Sequence, residues 1–161
     1  MELIKFDRQL YYAFIFSRIN YGIQIYGTCS TSLLSKIQTL SNRLLKFLLK
    51  LDFMTPTLAL HKDLKILTVS DIVNVNIAVF VSNCLRGDCP SLFREYFTYP
   101  THRYPSREPK LHVPSHKTAL ASTTVKIKGA NLWNTLPTSI KEKFRLKSFS
   151  KILKDYYISK Y

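Results

Sequence analysis

Thr31-Ser32-Leu33-Leu34-Ser35-Lys36-Ile37-Gln38-Thr39-Leu40-Ser41-Asn42-Arg43-Leu44-Leu45-Lys46-Phe47-Leu48-Leu49-Lys50 is the stretch that decides the fold. Leu33, Ile37, Leu40, Leu44, Phe47 and Leu51 recur at three- and four-residue steps, the spacing of one helical face. Lys36, Arg43, Lys46 and Lys50 fall mostly on other faces. Ser30, Thr31 or Ser32 can cap the first turn, because a short side-chain oxygen accepts from an otherwise orphaned backbone N–H. The pattern predicts a helix over 31–50 with its apolar face in a core and its basic side chains in water.

The chain on either side reads in the same way. Over 6–17, Phe6, Leu10, Phe14 and Ser17 fall on one helical face, although so aromatic a run also suits a strand. Gly22 and Gly27 interrupt the chain around Ile23–Tyr26. Thr55-Pro56 predicts a short helix through His61, since proline fits a first helical turn. That helix places His61 between Leu60 and Lys62, as a surface or capping residue rather than a base. Ser70-Asp71 is a candidate cap for a helix over 72–85 that Gly87 ends. Its β-branched content also suits a strand, but its length and flanking signals favour helix. Pro90 predicts a short helix through Tyr96.

Pro100, Pro105, Pro109 and Pro114 then recur among His102, Arg103, Arg107, Lys110, His116 and Lys117. Such a segment cannot stay helical and is expected to bury little, so 98–118 is predicted to be an extended basic linker. Thr124-Val125-Lys126-Ile127-Lys128 alternates enough for a short strand within 119–129, and helices over about 130–143 and 147–158 close the chain. The predicted class is mostly α: a small helical bundle over 1–97, a Pro-rich linker over 98–118, and a basic helical segment over 119–161. No internal repeat is present.

The chain has 161 residues, 46% hydrophobic and 21% charged, which is a globular composition with room for one modest core or two small lobes. Its formal net charge of +14 calls for a polyanionic partner, because self-repulsion on that scale is relieved by phosphates. Residues 1–90 hold ten Lys/Arg against six Asp/Glu, and 91–161 hold fourteen against four, so the second half is the expected nucleic-acid side. No apolar run approaches the ~18 residues of a membrane span. Glu2, Lys5, Asp7 and Arg8 at the start do not read as a secretory signal, and three cysteines without scaffold spacing point to a reducing, intracellular setting in nucleus or cytoplasm.

A second stretch carries a likeness to a known family. Gly129-Ala130-Asn131-Leu132-Trp133-Asn134-Thr135-Leu136-Pro137 precedes a basic helix beginning at Thr138. Upstream stand Asn20-Tyr21-Gly22-Ile23, then Tyr26-Gly27, then Asn42-Arg43-Leu44-Leu45-Lys46. In order and spacing these resemble the C-terminal region of reverse transcriptases of non-LTR (LINE-type) retrotransposons. There the tyrosine-glycine pair is followed by an aromatic-glycine pair, usually tryptophan-glycine, and alanine often precedes the arginine of the thumb helix. This chain has Tyr26 and Asn42 at those places.

The resemblance runs roughly from Leu10 to Leu153. It implies a thumb-like bundle over 1–97 that grips RNA, DNA or an RNA–DNA hybrid through phosphates, with palm and fingers domains supplied by the rest of the parent protein. On that reading Lys36, Arg43, Lys46 and Lys50 of the thumb helix are the phosphate contacts. The basic charge further on adds Arg103, Arg107, Lys126 and Lys128 as expected backbone contacts. Leu132, Trp133 and Leu136 are expected to form structural core, since Leu132, Leu136 and Ile140 recur at four-residue steps beside the tryptophan.

Polymerase chemistry needs two metal ions held by paired acids, and the sequence has no Asp-Asp pair; its acids stand isolated. In the resembled family that motif lies upstream of the matching region. The chain is therefore expected to be catalytically incomplete, without catalytic residues or cofactor. Cys84, Cys89, His112 and His116 raise a zinc reading, but the spacing fits a zinc site loosely, and free thiols with exposed histidines are the commoner outcome. Cys29 reads as a small buried apolar residue. Tyr96, Tyr99 and Tyr104, among prolines and arginines, are candidates for stacking on bases. The competing function is a small basic helical module that binds an acidic protein or an anionic membrane surface.

Overall fold

The computed structural model describes residues 8–100 and 110–161. These are mostly helical, with no strand among the described residues. The chain forms two compact units. One comprises the described residues up to Val73 together with Asp155–Tyr161, and the other runs over Asn74–Lys154. By backbone proximity both boundaries between these units fall inside helices.

In the first unit, helix α1 covers residues 8–20 and is π-wound over Tyr11–Phe16. Its buried side chains are Tyr11, Ile15 and Ile19, whereas Phe14, read as sharing a face with Leu10 and Ser17, is 70% exposed. Phe6 lies outside the described residues. Gly22 adopts φ 66° and separates α1 from α2, Ile23–Tyr26. Helix α3 spans Thr31–Leu48, α4 spans Thr57–Leu64 behind Pro56, and α5 begins at Val69.

Helix α3 corrects the sequence reading. The face expected in the core is largely in solvent, with Leu33, Leu40, Leu44 and Phe47 all exposed, while Ser41 and Leu45 are buried. The cause is polar. The Tyr11 hydroxyl meets Ser41 Oγ at 3.4 Å, and the Gln38 carboxamide accepts from the Val69 backbone N–H at 2.6 Å. Those bonds turn the helix so that its small and amide side chains face inward.

The start of α5 is capped two residues earlier than expected. Thr68, not Ser70, is the cap: its hydroxyl accepts from the Asp71 N–H at 3.3 Å and donates to the Asp71 carboxylate at 2.6 Å. The Tyr161 hydroxyl also donates to that carboxylate and accepts from the Thr68 N–H at 2.9 Å. The C-terminal residue is thus part of the cap.

The second unit takes α5 from Asn74 to Arg86, where Gly87 at φ 84° ends it. A 3₁₀ turn follows over Ser91–Phe93, and Phe80 packs edge-on against Phe93 and Phe97 at 5.4 and 6.1 Å. The expected strand over 119–129 is helical: α6 is Ala119–Ser122, and α7 is Val125–Thr135. Val125, Gly129 and Trp133 also satisfy a four-residue period, and Gly129 explains the choice. A Cβ there would meet the Phe97 ring and Val81 at 3.0 Å, so only glycine lets the helix approach this closely. Pro137 separates α7 from α8, Thr138–Lys141, and α9 spans Phe149–Ile158.

Candidate nucleic-acid interface

The basic residues expected at the interface divide by location. On α3, Lys36 and Arg43 are exposed and seven residues apart, so they share one edge at about 10 Å separation. Lys50 lies just past the helix at φ 52° and is exposed. Lys46 is engaged elsewhere: its ammonium donates to the Phe53 carbonyl at 2.5 Å and stands 5.4 Å from that ring. The Arg43 guanidinium also borders the Phe53 ring at 5.9 Å.

Lys126 and Lys128 do not form the common face that a strand would have given them. Two residues apart on α7, they point about 200° apart around the helix, and both are half-buried. The Lys126 ammonium sits 5.2 Å over the Tyr96 ring. Tyr96 is thereby withdrawn from stacking, and it also packs edge-on against Phe93 at 5.2 Å. Tyr99 remains 46% exposed. Arg103, Arg107 and Tyr104 lie outside the described residues.

Sequence reasoning omitted a dense basic surface among the described residues. Between α8 and α9 the chain runs through turns that expose Lys143, Arg145 and Lys147, and Lys151 is exposed in the first turn of α9. Glu142 is the single acid over residues 141–154, against six Lys/Arg. The signal was present as cations alternating with Phe144 and Leu146, in the gap between the two helices expected over about 130–143 and 147–158. Phe144 turns inward onto Trp133 at 6.0 Å, which leaves the cationic neighbours outside.

Trp133 is 1% exposed and Leu136 is buried, whereas Leu132 is only half-buried. Asn134, beside the tryptophan, has a role the sequence did not disclose. Its carboxamide accepts from the Leu111 N–H at 2.8 Å and donates to the Leu111 carbonyl at 3.0 Å. The His112 N–H donates to the Thr98 carbonyl at 2.9 Å. The later part of the expected linker is therefore fastened, and Leu111 is 3% exposed where little burial was expected.

The thiol-bearing residues separate from the histidines. Cys84 and Cys89 are buried side by side; burial, then the hydrogen bond with Cys89, pushes the Cys84 thiol up to about 12. His112 and His116 are exposed, and no group of three or more His, Cys, Asp or Glu among the described residues can hold a metal ion. Cys29 is half-buried rather than buried.

His61 is not on the surface. It is 1% exposed, its Nδ1–H donates to the Ile66 carbonyl at 3.0 Å, and Nε2 faces the Gln38 amide nitrogen at 3.4 Å, with Asn42 Oδ1, which accepts from Gln38 at 2.7 Å, beside it at 3.0 Å. Burial pushes it below its ordinary value, while the Ile66 carbonyl and then Asp71 hold it partly up. The ring borders a cavity of about 470 Å³ walled by Thr31, Ser35, Gln38, Asn42 and Thr57. With its hydrogen bonds taken by amides and a carbonyl, His61 locks α3 to α4 and has no nucleophile to serve.

No single helix among the described residues is long and apolar enough to cross a membrane. No protein-family model matches the chain, and no curated protein or solved structure is found similar to it.

Proposed function

We propose that the chain is a catalytically incomplete piece of a LINE-type reverse transcriptase, the thumb and the region behind it, that binds nucleic-acid backbone without regard to sequence. The observation that carries the binding is the exposed cluster Lys143, Arg145, Lys147 and Lys151, in a unit whose sequence holds fourteen Lys/Arg against four Asp/Glu. Lysines and arginines on these turns and at the start of α9 reach phosphates without positioning groups against base edges, so the interaction is electrostatic and sequence-tolerant. Lys36 and Arg43 add a second basic edge on α3, with Lys50 just past its end. The order of the Tyr21-Gly22, Tyr26-Gly27, Arg43-Leu44-Leu45 and Trp133-Asn134 motifs supports the family assignment.

The test is fluorescence anisotropy with labelled duplex and RNA–DNA hybrid oligonucleotides over a salt series. With ~4–6 phosphates neutralised, log affinity against log salt slopes by about −3 to −5. Reversing Lys143, Arg145, Lys147 and Lys151 to Glu weakens every sequence alike and flattens the slope by up to ~4. A flat salt dependence in the unaltered chain removes the reading, and loss confined to one sequence contradicts backbone contact.

A further inference from the structure

No described residue covers the outer face of α3. Of fifteen large apolar side chains exposed among the described residues, eleven lie from Phe14 to Leu58, and α3 presents four of them in a regular row. Leu33, Ile37, Leu40, Leu44 and Phe47 are separated by steps of four, three, four and three, the alternation of a helix–helix seam, and Leu51 follows past the helix end. Leu40 is 57% exposed and Phe47 79%, with Leu33, Leu44 and Leu51 also open and Ile37 half-buried. Scattered apolar residues on a surface need no explanation, but a continuous row along a helix about 27 Å long does.

The two borders of the row differ. On one side Ser41 and Leu45 turn into the chain's own unit, and Ser41 meets Tyr11. On the other side stand Lys36 and Arg43, seven residues apart and both exposed, and Lys50 is exposed just past the helix end. Between Thr31 and Leu51 there is no acidic residue. Whatever covers the row therefore meets one wholly positive border. A second copy packed antiparallel brings that border against itself, and packed parallel it needs the border that Tyr11 already closes. Nucleic acid satisfies the charges but leaves the leucines and the phenylalanine in water.

We infer that this face docks an amphipathic helix of a partner protein, apolar along its seam and acidic on the edge that meets Lys36, Arg43 and Lys50. The leucines and Phe47 supply contact area by helix-in-groove packing, and the carboxylates fix which edge goes where. The basic border thus selects the partner, and the apolar row holds it.

The test uses the full chain and two fluorescein-labelled synthetic peptides with the same leucine seam, one bearing Glu at the flanking positions and one bearing Lys. The Glu peptide is expected to bind one-to-one and at least ~10-fold more tightly than the Lys peptide. Leu40→Asn with Phe47→Gln abolishes that binding and leaves the circular dichroism, the Tm and oligonucleotide binding unchanged, because both side chains are exposed. Reversing Lys36, Arg43 and Lys50 to Glu moves the preference to the Lys peptide. Equal affinity for both peptides, or binding of neither, overturns the inference. So does a dimer in sedimentation that Leu40→Asn with Phe47→Gln dissolves, or Phe47-dependent binding to anionic phosphatidylserine vesicles without peptide binding. Retained oligonucleotide binding in the seam variant separates failure here from failure of the nucleic-acid reading.

Discussion

Trp133 offers a test that separates packing from polarity within one side chain. It is 1% exposed, with the rings of Phe144 and Phe149 at 6.0 and 6.1 Å, and its indole N–H is buried without a partner. Trp133→Ala removes the whole ring system from a closed site, which costs ~3–5 kcal/mol. Trp133→Phe forfeits roughly three buried atoms, about 2 kcal/mol of transfer free energy. It also discards a buried donor whose desolvation costs ~1–3 kcal/mol, so the two terms nearly cancel. The expected result is a large loss for alanine and a change within about 1 kcal/mol for phenylalanine. Urea unfolding followed by far-ultraviolet circular dichroism measures both, since the substitutions remove the chain's only tryptophan. In the unaltered chain the tryptophan emission is expected to be blue-shifted and indifferent to added oligonucleotide. Equal costs for the two substitutions would refute the unpaired-donor argument. An alanine cost below ~1 kcal/mol, or emission quenched by oligonucleotide, would refute the core assignment altogether.

Gly129→Ala is expected to cost ~1–3 kcal/mol despite alanine's better helix propensity, because the new methyl enters the 3.0 Å gap to Phe97 and Val81; a stabilised variant in the same urea assay contradicts this. Burial holds Tyr157 and Tyr161 up to about 12 against an ordinary 10, and Cys84 up to about 12 against 9. The folded state therefore keeps protons that the unfolded chain releases: this contribution is complete below about pH 9 and is lost as pH rises towards 12, so Tm should fall across that window and Tyr157→Phe should lessen the fall. A Tm that stays level there removes the burial argument. His61 has the opposite sign: its depressed value means stability present above pH 6.5 and lost as pH falls through the folded value, which His61→Gln should blunt in an acid titration. Supplied with primer–template and Mg²⁺ or Mn²⁺, the purified chain should incorporate no nucleotide, because its sequence offers no acidic pair to hold the metals; incorporation above a heat-killed control sinks the reading of an incomplete polymerase.

The helical class was legible because long periodic segments bounded by Pro56 and Gly87 leave little else for the chain to do. Trp133 and Leu136 were legible as core for the same reason. Lys126 and Lys128 were misplaced because a five-residue alternation fits both a strand and a helix. The deciding fact, the closeness of Gly129 to Phe97, is a long-range contact that no local pattern carries. Asn134 and His61 were opaque for a related reason. Each is defined by partners, Leu111 for one and Gln38, Asn42 and Ile66 for the other, and a polar residue in sequence does not announce its partners.

Helix α3 shows where periodicity runs out. The spacing identified correctly which residues share a face, since Leu33, Leu40, Leu44 and Phe47 do line up. It could not say which way that face turns. An apolar row gains from leaving water whether its own chain or another protein covers it, so hydrophobic periodicity alone is neutral between core and interface. The polar residues break the tie. Gln38, Ser41 and Asn42 have specific partners in Val69, Tyr11 and His61, and each of those bonds is lost if the helix rotates to bury its leucines. An unpaired buried amide costs ~1–3 kcal/mol, comparable to what one buried leucine contributes. Three such groups therefore hold the helix with its polar face inward. The outward row and its basic border follow from that balance, which makes Gln38→Leu informative beyond the seam itself. With its Val69 bond gone, α3 is free to rotate, so the Glu-flanked peptide should lose affinity although no residue of the docking face has changed. Undiminished peptide binding by Gln38→Leu would show that something other than these hydrogen bonds sets the helix.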